Sequence, residues 1–317
     1  MAMESRFDYL NAAREVLYQF PGQIAAFHRH DEEPRAGSPA SRERDRFPDL
    51  ELLDSAYAQG RQLVFLASTD HLDGLVRSLS GPMLSCTPYT CARGVLEACS
   101  TAIWLMDDRI TYKKRIERSL NLRLEGVRSQ GKFRDKVERQ SQGRRDEWLK
   151  QNPRQRAQER IDHFRACAKR AKVREKCKGG RFIAFGSGMP RISERIRMSL
   201  DAEVDYSILS SVAHANTAVL PQLSGSLQPT DEGLLLKPGL SPLMAIWLIR
   251  NVVQWQSRAA WGCFRLFGRP LDGVTELLET TYERLGIEPE RRFWTTTPDS
   301  EMGPDLTNGD RRAAVNR

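Results

Sequence analysis

Between Tyr89 and Met106 every residue is apolar or small except Arg93 and Glu97. Thr87 and Pro88 read as its N-cap and first helical position, where a missing N–H costs nothing. A helix without a polar face has no side to give to water, so other helices must enclose it, and the chain folds as a bundle around it. Asp107 and Asp108 mark where it leaves that interior. Arg93 and Glu97 stand one turn apart, and burying either charge alone is costly, so both need partners.

A second core helix is predicted over 243–267, opened by Ser241-Pro242 and carrying Trp247, Trp255, Trp261 and Phe264. Helical spacing also marks 4–20, closed by Pro21-Gly22, and a long element over 50–79 that bends at Gly60. Shorter helices are predicted over 191–200, 205–216 and 271–285. The run 224–239 alternates loosely about Thr230 to Gly233, as a small β-hairpin would. Trp247, Trp255, Leu96 and Ile103 are expected in the core. The fold class is therefore all-α, a multi-helix bundle with a long basic helical hairpin inserted and one small β-hairpin. Its divisions are a helix at 1–28, a mobile loop at 29–46, bundle at 47–108 and 179–292, the insertion at 109–178 and a disordered tail at 293–317.

Charge separates the insertion from the rest. Of a formal net charge of +8, residues 109–178 hold 24 Lys and Arg against 9 Asp and Glu, leaving the remainder acidic. Asn152-Pro153 restarts the helix, and the apolar stripe (Ile116, Leu120, Leu124, Val127, Phe133, Val137, Trp148) is thin, so the pair should project from the bundle. A basic face without interleaved aromatic residues suits phosphate rather than base edges. RNA or DNA is the expected partner, with Arg134, Lys136, Arg144 and Arg145 as contacts. The plainer alternative is a solvated helix pair partly neutralised by Glu125, Glu138, Glu147 and Glu159.

Six cysteines form no CxxC pair, and no apolar leader follows Met1, which predicts reduced thiols and a cytoplasmic protein. No metal and no cofactor is expected, because His and Cys lack ligand spacing. The longest apolar run, Leu243–Ile249, is far too short to cross a bilayer, so no membrane partner is expected. A homodimer is left open. The glycines of Phe185-Gly186-Ser187-Gly188 fall in a connector over 177–190 and lack the strand and the Lys-Ser/Thr of a phosphate loop.

The candidate site lies on the 205–216 helix. Tyr206, Ser210 and His214 recur at i, i+4 and i+8, forming one polar stripe beside Ile208, Leu209, Val212 and Ala213. Two core helices with one polar stripe each satisfy those groups by facing each other, which gathers Arg93, Glu97 and His214. In that cluster Glu97 would orient a protonated His214, Tyr206 and Ser210 would position a ligand, and Arg93 would hold an anion. A wholly structural ladder is the alternative.

The ordered set Arg93-Gly94-Val95-Leu96-Glu97, Ile103-Trp104-Leu105-Met106-Asp107, Met189-Pro190, then Tyr206, Leu209, Ser210 and His214 resembles a group of functionally uncharacterised, mostly actinobacterial helical proteins. More distantly the chain resembles the HEPN helical-bundle superfamily, which includes metal-independent ribonucleases and toxins. That likeness implies an RNA-directed activity, with an Arg four to six residues before a His on one helix. Here Ser207 to Ser211 precede His214, so the arginine would come from another helix, and Arg93 is the candidate. The alternatives are a small-molecule enzyme or binding protein with its pocket at Arg93, Glu97 and His214, and a non-catalytic interaction protein.

Overall fold

A computed structural model of the chain describes residues 3–26, 33–47, 49–80, 86–140, 153–214, 225–230 and 233–288. The elements run α1 (Met3–Ala26), α2 (Pro39–Arg46), α3 (Leu50–Gln62), a π-helical turn (Leu63–Ala67), α4 (Ser68–Leu79), α5 (Thr87–Met106) and α6 (Tyr112–Gln140). Then follow α7 (Pro153–Arg170), β1 (Glu175–Lys178), β2 (Arg181–Phe185), α8 (Ile192–Leu200), α9 (Glu203–Ala213), β3 (Gly225–Thr230), β4 (Gly233–Pro238), α10 (Pro242–Phe267) and α11 (Asp272–Arg284). All of them belong to one unit, 1–287; residues 288–317 form a second. The protein is all-α, and its strands make two antiparallel pairs, β1 with β2 and β3 with β4.

The apolar helix is the centre. α5 packs on α10 and α4, and on α3, α8 and α9 around them. Leu96, Cys99 and Leu105 are fully enclosed. Cys86 holds the N-cap position, so Pro88 lies in the first turn one residue further in than the sequence implies. At α10, Ser241 Oγ accepts the Met244 N–H at 3.2 Å with Pro242 at the first position. Trp255 is buried; Trp247 and Ile103 are only half-buried. Trp247 sits near the start of α10, where Leu243 is exposed.

Four expectations are corrected. The first helix does not stop at Pro21 but continues to Ala26. Leu17, Phe20 and Ile24 keep one buried stripe across the proline, and packing on α10 and α4 outweighs the lost backbone hydrogen bond. The 50–79 element departs from α-geometry at Leu63–Ala67, not at Gly60, whose missing Cβ instead makes room for the Met106 side chain. Within the expected mobile loop 29–46, residues 39–46 are a helix: Ser38 Oγ caps it from the Ser41 N–H at 3.1 Å, and Glu43 is buried. The connector 177–190 contains most of an antiparallel hairpin turning at Gly179-Gly180.

The insertion also differs from a pair of helices standing off the bundle. The first half of α6 packs on α3, α5 and β2, with Arg115 fully buried and Arg118 nearly so. Arg115 is held by Glu43 through Nε–Oε2 at 2.8 Å and Nη2–Oε1 at 2.9 Å. Residues 141–152, and with them Arg144, Arg145, Trp148 and the Asn152 cap, lie outside the described residues, as does the tail 293–317. Among the described residues no helix is long and apolar enough to cross a membrane.

Candidate functional site

Arg93 and Glu97 occupy the least covered side of α5, and α9 packs against that helix. Their i, i+4 spacing closes an ion pair, Arg93 Nε donating to Glu97 Oε1 at 2.7 Å. From α9, Tyr206 brings its hydroxyl to 3.4 Å from Arg93 Nη2, and its ring lies 5.3 Å from the guanidinium carbon. His214, the C-cap residue of α9, brings Nε2 to 3.4 Å from Arg93 Nη1. One guanidinium therefore spans three side chains from two helices. Burial alone would lower the Arg93 pKa, but hydrogen bonding and charge from Glu97, with Tyr206 behind it, leave it raised.

The structure thus brings Arg93, Glu97, Tyr206 and His214 together, in a different order from the expected one. Arg93, not Glu97, is the partner of His214 among the described residues. An arginine only donates, so in a hydrogen bond between the two Nε2 would be the acceptor. His214 is exposed, where α9 ends, and the stripe lines the surface rather than a core. Ser210 is half-buried, and its carbonyl accepts the His214 N–H at 3.0 Å. His71 is exposed on α4, its ring against the Gly94 backbone of α5, where a Cβ would collide with it. No group of three His, Cys, Asp or Glu able to hold a metal forms among the described residues.

Sequence reasoning missed the arginine beneath this cluster. Arg195 on α8 is 8% exposed, lies over Trp104 at 5.8 Å and donates to the Pro190 carbonyl at 3.0 Å. Burial depresses its pKa, opposed by the charges of Glu97, Glu125 and Tyr206. On the same tryptophan, Arg118 lies at 4.9 Å and donates to the Trp104 carbonyl. The Nε atoms of both arginines have no hydrogen-bond partner among the described residues. The signal was present: Arg195 follows Ile192 at i+3 and precedes Ile196, so it shares the inward face of α8.

The predicted nucleic-acid contacts are only partly visible. Lys136 is exposed on α6, and Arg134 belongs to the same helix. The glycine-rich loop after β2 has its own anion. Ser187 N and Oγ both donate to Glu117 Oε1, at 3.1 and 2.9 Å, and Lys114 Nζ reaches the same oxygen at 2.6 Å. A carboxylate from α6 thus fills the place a phosphate would need, and Gly186 has the left-handed φ of +51° that the close approach requires. No known protein family, curated protein or solved structure matches the chain.

Proposed function

We propose that the protein binds nucleic acid through the phosphate backbone, using those cations of 109–178 that its own fold leaves free. The observation that supports this is the division of charge inside the segment. The inward members are consumed: Arg115 by Glu43, Arg118 by the Trp104 carbonyl, Arg128 by the Ile183 carbonyl. Lys132, Lys136, Lys169, Lys172, Arg174 and Lys178 are exposed and make no ion pair among the described residues. Contacts of this kind position a protein on a duplex without reading its bases.

The test is a titration of labelled RNA and DNA with the full chain over a range of salt. On duplex DNA the logarithm of the affinity should fall linearly with the logarithm of the salt concentration, by about 0.9 per phosphate contact, and base sequence should matter little. Absence of binding to either nucleic acid at about 50 mM salt would remove this reading.

A further inference from the structure

Resting on the nucleic-acid reading above, we infer that the contact surface is the β1–β2 hairpin with the adjoining end of α7, and that its partner is a duplex held by its phosphates. Residues 169–191 contain eight Lys or Arg and a single acid, Glu175. That acid is already spent on Arg165, at 2.9 and 3.0 Å. Arg170 is taken by Asp49 at 2.7 Å, and Lys176 reaches the Ser187 carbonyl at 3.4 Å. Lys169, Lys172, Arg174, Lys178 and Arg181 are exposed and have no ion-pair partner among the described residues. Like charges this close repel one another, and an external polyanion relieves that repulsion. Lysines on an exposed edge strand also discourage strand pairing between molecules. That role covers Lys176 and Lys178 on β1, but not Lys169, Lys172 and Arg174, which precede the strand.

The cations stand on a fixed backbone. Asn121 of α6 holds β2 in both directions, Nδ2 to the Phe185 carbonyl and Oδ1 to the Phe185 N–H, each at 3.0 Å. Arg128 adds a bond to the Ile183 carbonyl at 2.7 Å, and Phe182 lies between Arg128 and Arg165, at 6.0 and 5.6 Å. At the tip Gly179 and Gly180 take φ of +57° and +72°, which reverses the strand within two residues. Beside the hairpin an open depression of about 350 Å³ is lined by Arg165, Ala166, Lys169, Val173 and Glu175. Side chains projecting from an anchored ribbon lose less freedom on binding than those of a mobile tail.

The chemistry of the surface selects the partner. None of the exposed large apolar side chains among the described residues falls in 153–191. Insertion into a lipid interface needs such groups, and single strands are held by exposed aromatic stacking platforms; neither is offered here. What remains is charge on a rigid support, which matches a regular double backbone.

The experiment compares the full chain with Lys169→Ala/Lys172→Ala/Lys178→Ala/Arg181→Ala and, as control, Arg77→Ala/Arg284→Ala, two exposed arginines outside 109–178. Anisotropy of a labelled duplex is followed across a salt series, with a single strand of equal length and phosphatidylserine vesicles as further arms. The hairpin variant should lose about 0.9 of salt slope per contact removed, while the control keeps the wild-type slope. Single strands should bind more weakly and vesicles not at all. An unchanged slope in the hairpin variant, or vesicles held as tightly as the duplex, would overturn the assignment while the broader nucleic-acid reading stands. A wild-type chain that binds no nucleic acid removes both. Should the fourfold variant fail to fold, Lys178→Ala/Arg181→Ala at the exposed tip carries the test, with an expected slope loss of about 1.8.

Discussion

Replacing Glu43 with Ala strands Arg115. The guanidinium has no exposed surface, and Glu43 supplies its carboxylate. Its remaining partners are the carbonyls of Leu105 at 2.6 Å and Asp107 at 3.0 Å, which accept hydrogen bonds but carry no net charge. Tyr57, whose hydroxyl donates to Glu43 Oε2 at 2.7 Å, would keep only a longer contact to the Ala40 carbonyl at 3.4 Å. Removing one member of a buried ion pair costs about 3–5 kcal/mol, because the charge left behind has lost its compensation. With about 2–4 °C of melting temperature per kcal/mol in a domain of this size, the expected drop is on the order of 10 °C.

The double variant Glu43→Ala/Arg115→Met separates this cause from a simple loss of packing. With both charges gone no charge is stranded, so part of the lost stability should return, less the cost of the space Ala leaves and of the bonds lost by the Tyr57 hydroxyl and the Leu105 and Asp107 carbonyls. Calorimetry on wild type, both single variants and the double variant closes the cycle, and tryptic cleavage at Arg42 and Arg46 reports whether α2 stays docked. A Glu43→Ala protein melting within about 1 °C of wild type, with α2 still protected, would refute the reasoning.

Two further outcomes follow. Burial holds the Cys99 and Cys263 thiols up at about 12, whereas Cys86 and Cys177 are exposed; at about pH 8 iodoacetamide should therefore modify Cys86 and Cys177 quickly and spare the other two until the chain unfolds. The folded-state pKa is the raised one, so this stabilisation is complete below the ordinary thiol value of 9.0 and is lost as pH climbs towards 12; labelling of Cys99 as fast as Cys177 would contradict both points. At the α5–α9 contact, Arg93→Ala removes the centre of four groups and should cost about 1–2 kcal/mol, while His214→Ala at the exposed rim should shift stability by under about 0.5 kcal/mol. Equal melting temperatures for the two variants would show that Arg93 is not the clamp.

α5 was legible in the sequence because its apolar character is local and needs no partner to be seen. The Ser241-Pro242 start of α10 was legible for the same reason. The need of Arg93 and Glu97 for polar company followed from α5, and the stripe of α9 supplied that company. What could not be read was which of the two meets His214, since both lie on one face one turn apart and only the backbone separation of α5 and α9 decides. α2 was hidden because its apolar content is slight and its burial depends on Arg115, far along the chain. The β1–β2 hairpin was hidden because Glu175–Lys178 shows no alternation, every residue being exposed; its strand geometry is imposed by Asn121 and Arg128 of α6.

The positive charge divides by what the fold has to satisfy. A helix ends with carbonyls that find no partner within it, and the negative end of its dipole lies there as well. The arginines of other segments fill these positions. Arg115 and Arg118 take the carbonyls of Leu105, Asp107 and Trp104 at the end of α5. Arg258 takes those of Ser199 and Leu200 at the end of α8, at 3.1 Å each, and Arg250 takes that of Gly286 beyond α11. A guanidinium suits this buried role better than an ammonium, because it is planar, more weakly hydrated and presents its donors in a fixed fork. The cations left outside without ion pairs are accordingly lysines at five of the seven exposed positions named here, the exceptions being Arg174 and Arg181. The net charge of 109–178 therefore overstates what is left at the start of α6, where the fold has absorbed most of it; the cations without ion pairs stand at Lys132 and Lys136 and where the chain leaves α7 and enters the hairpin.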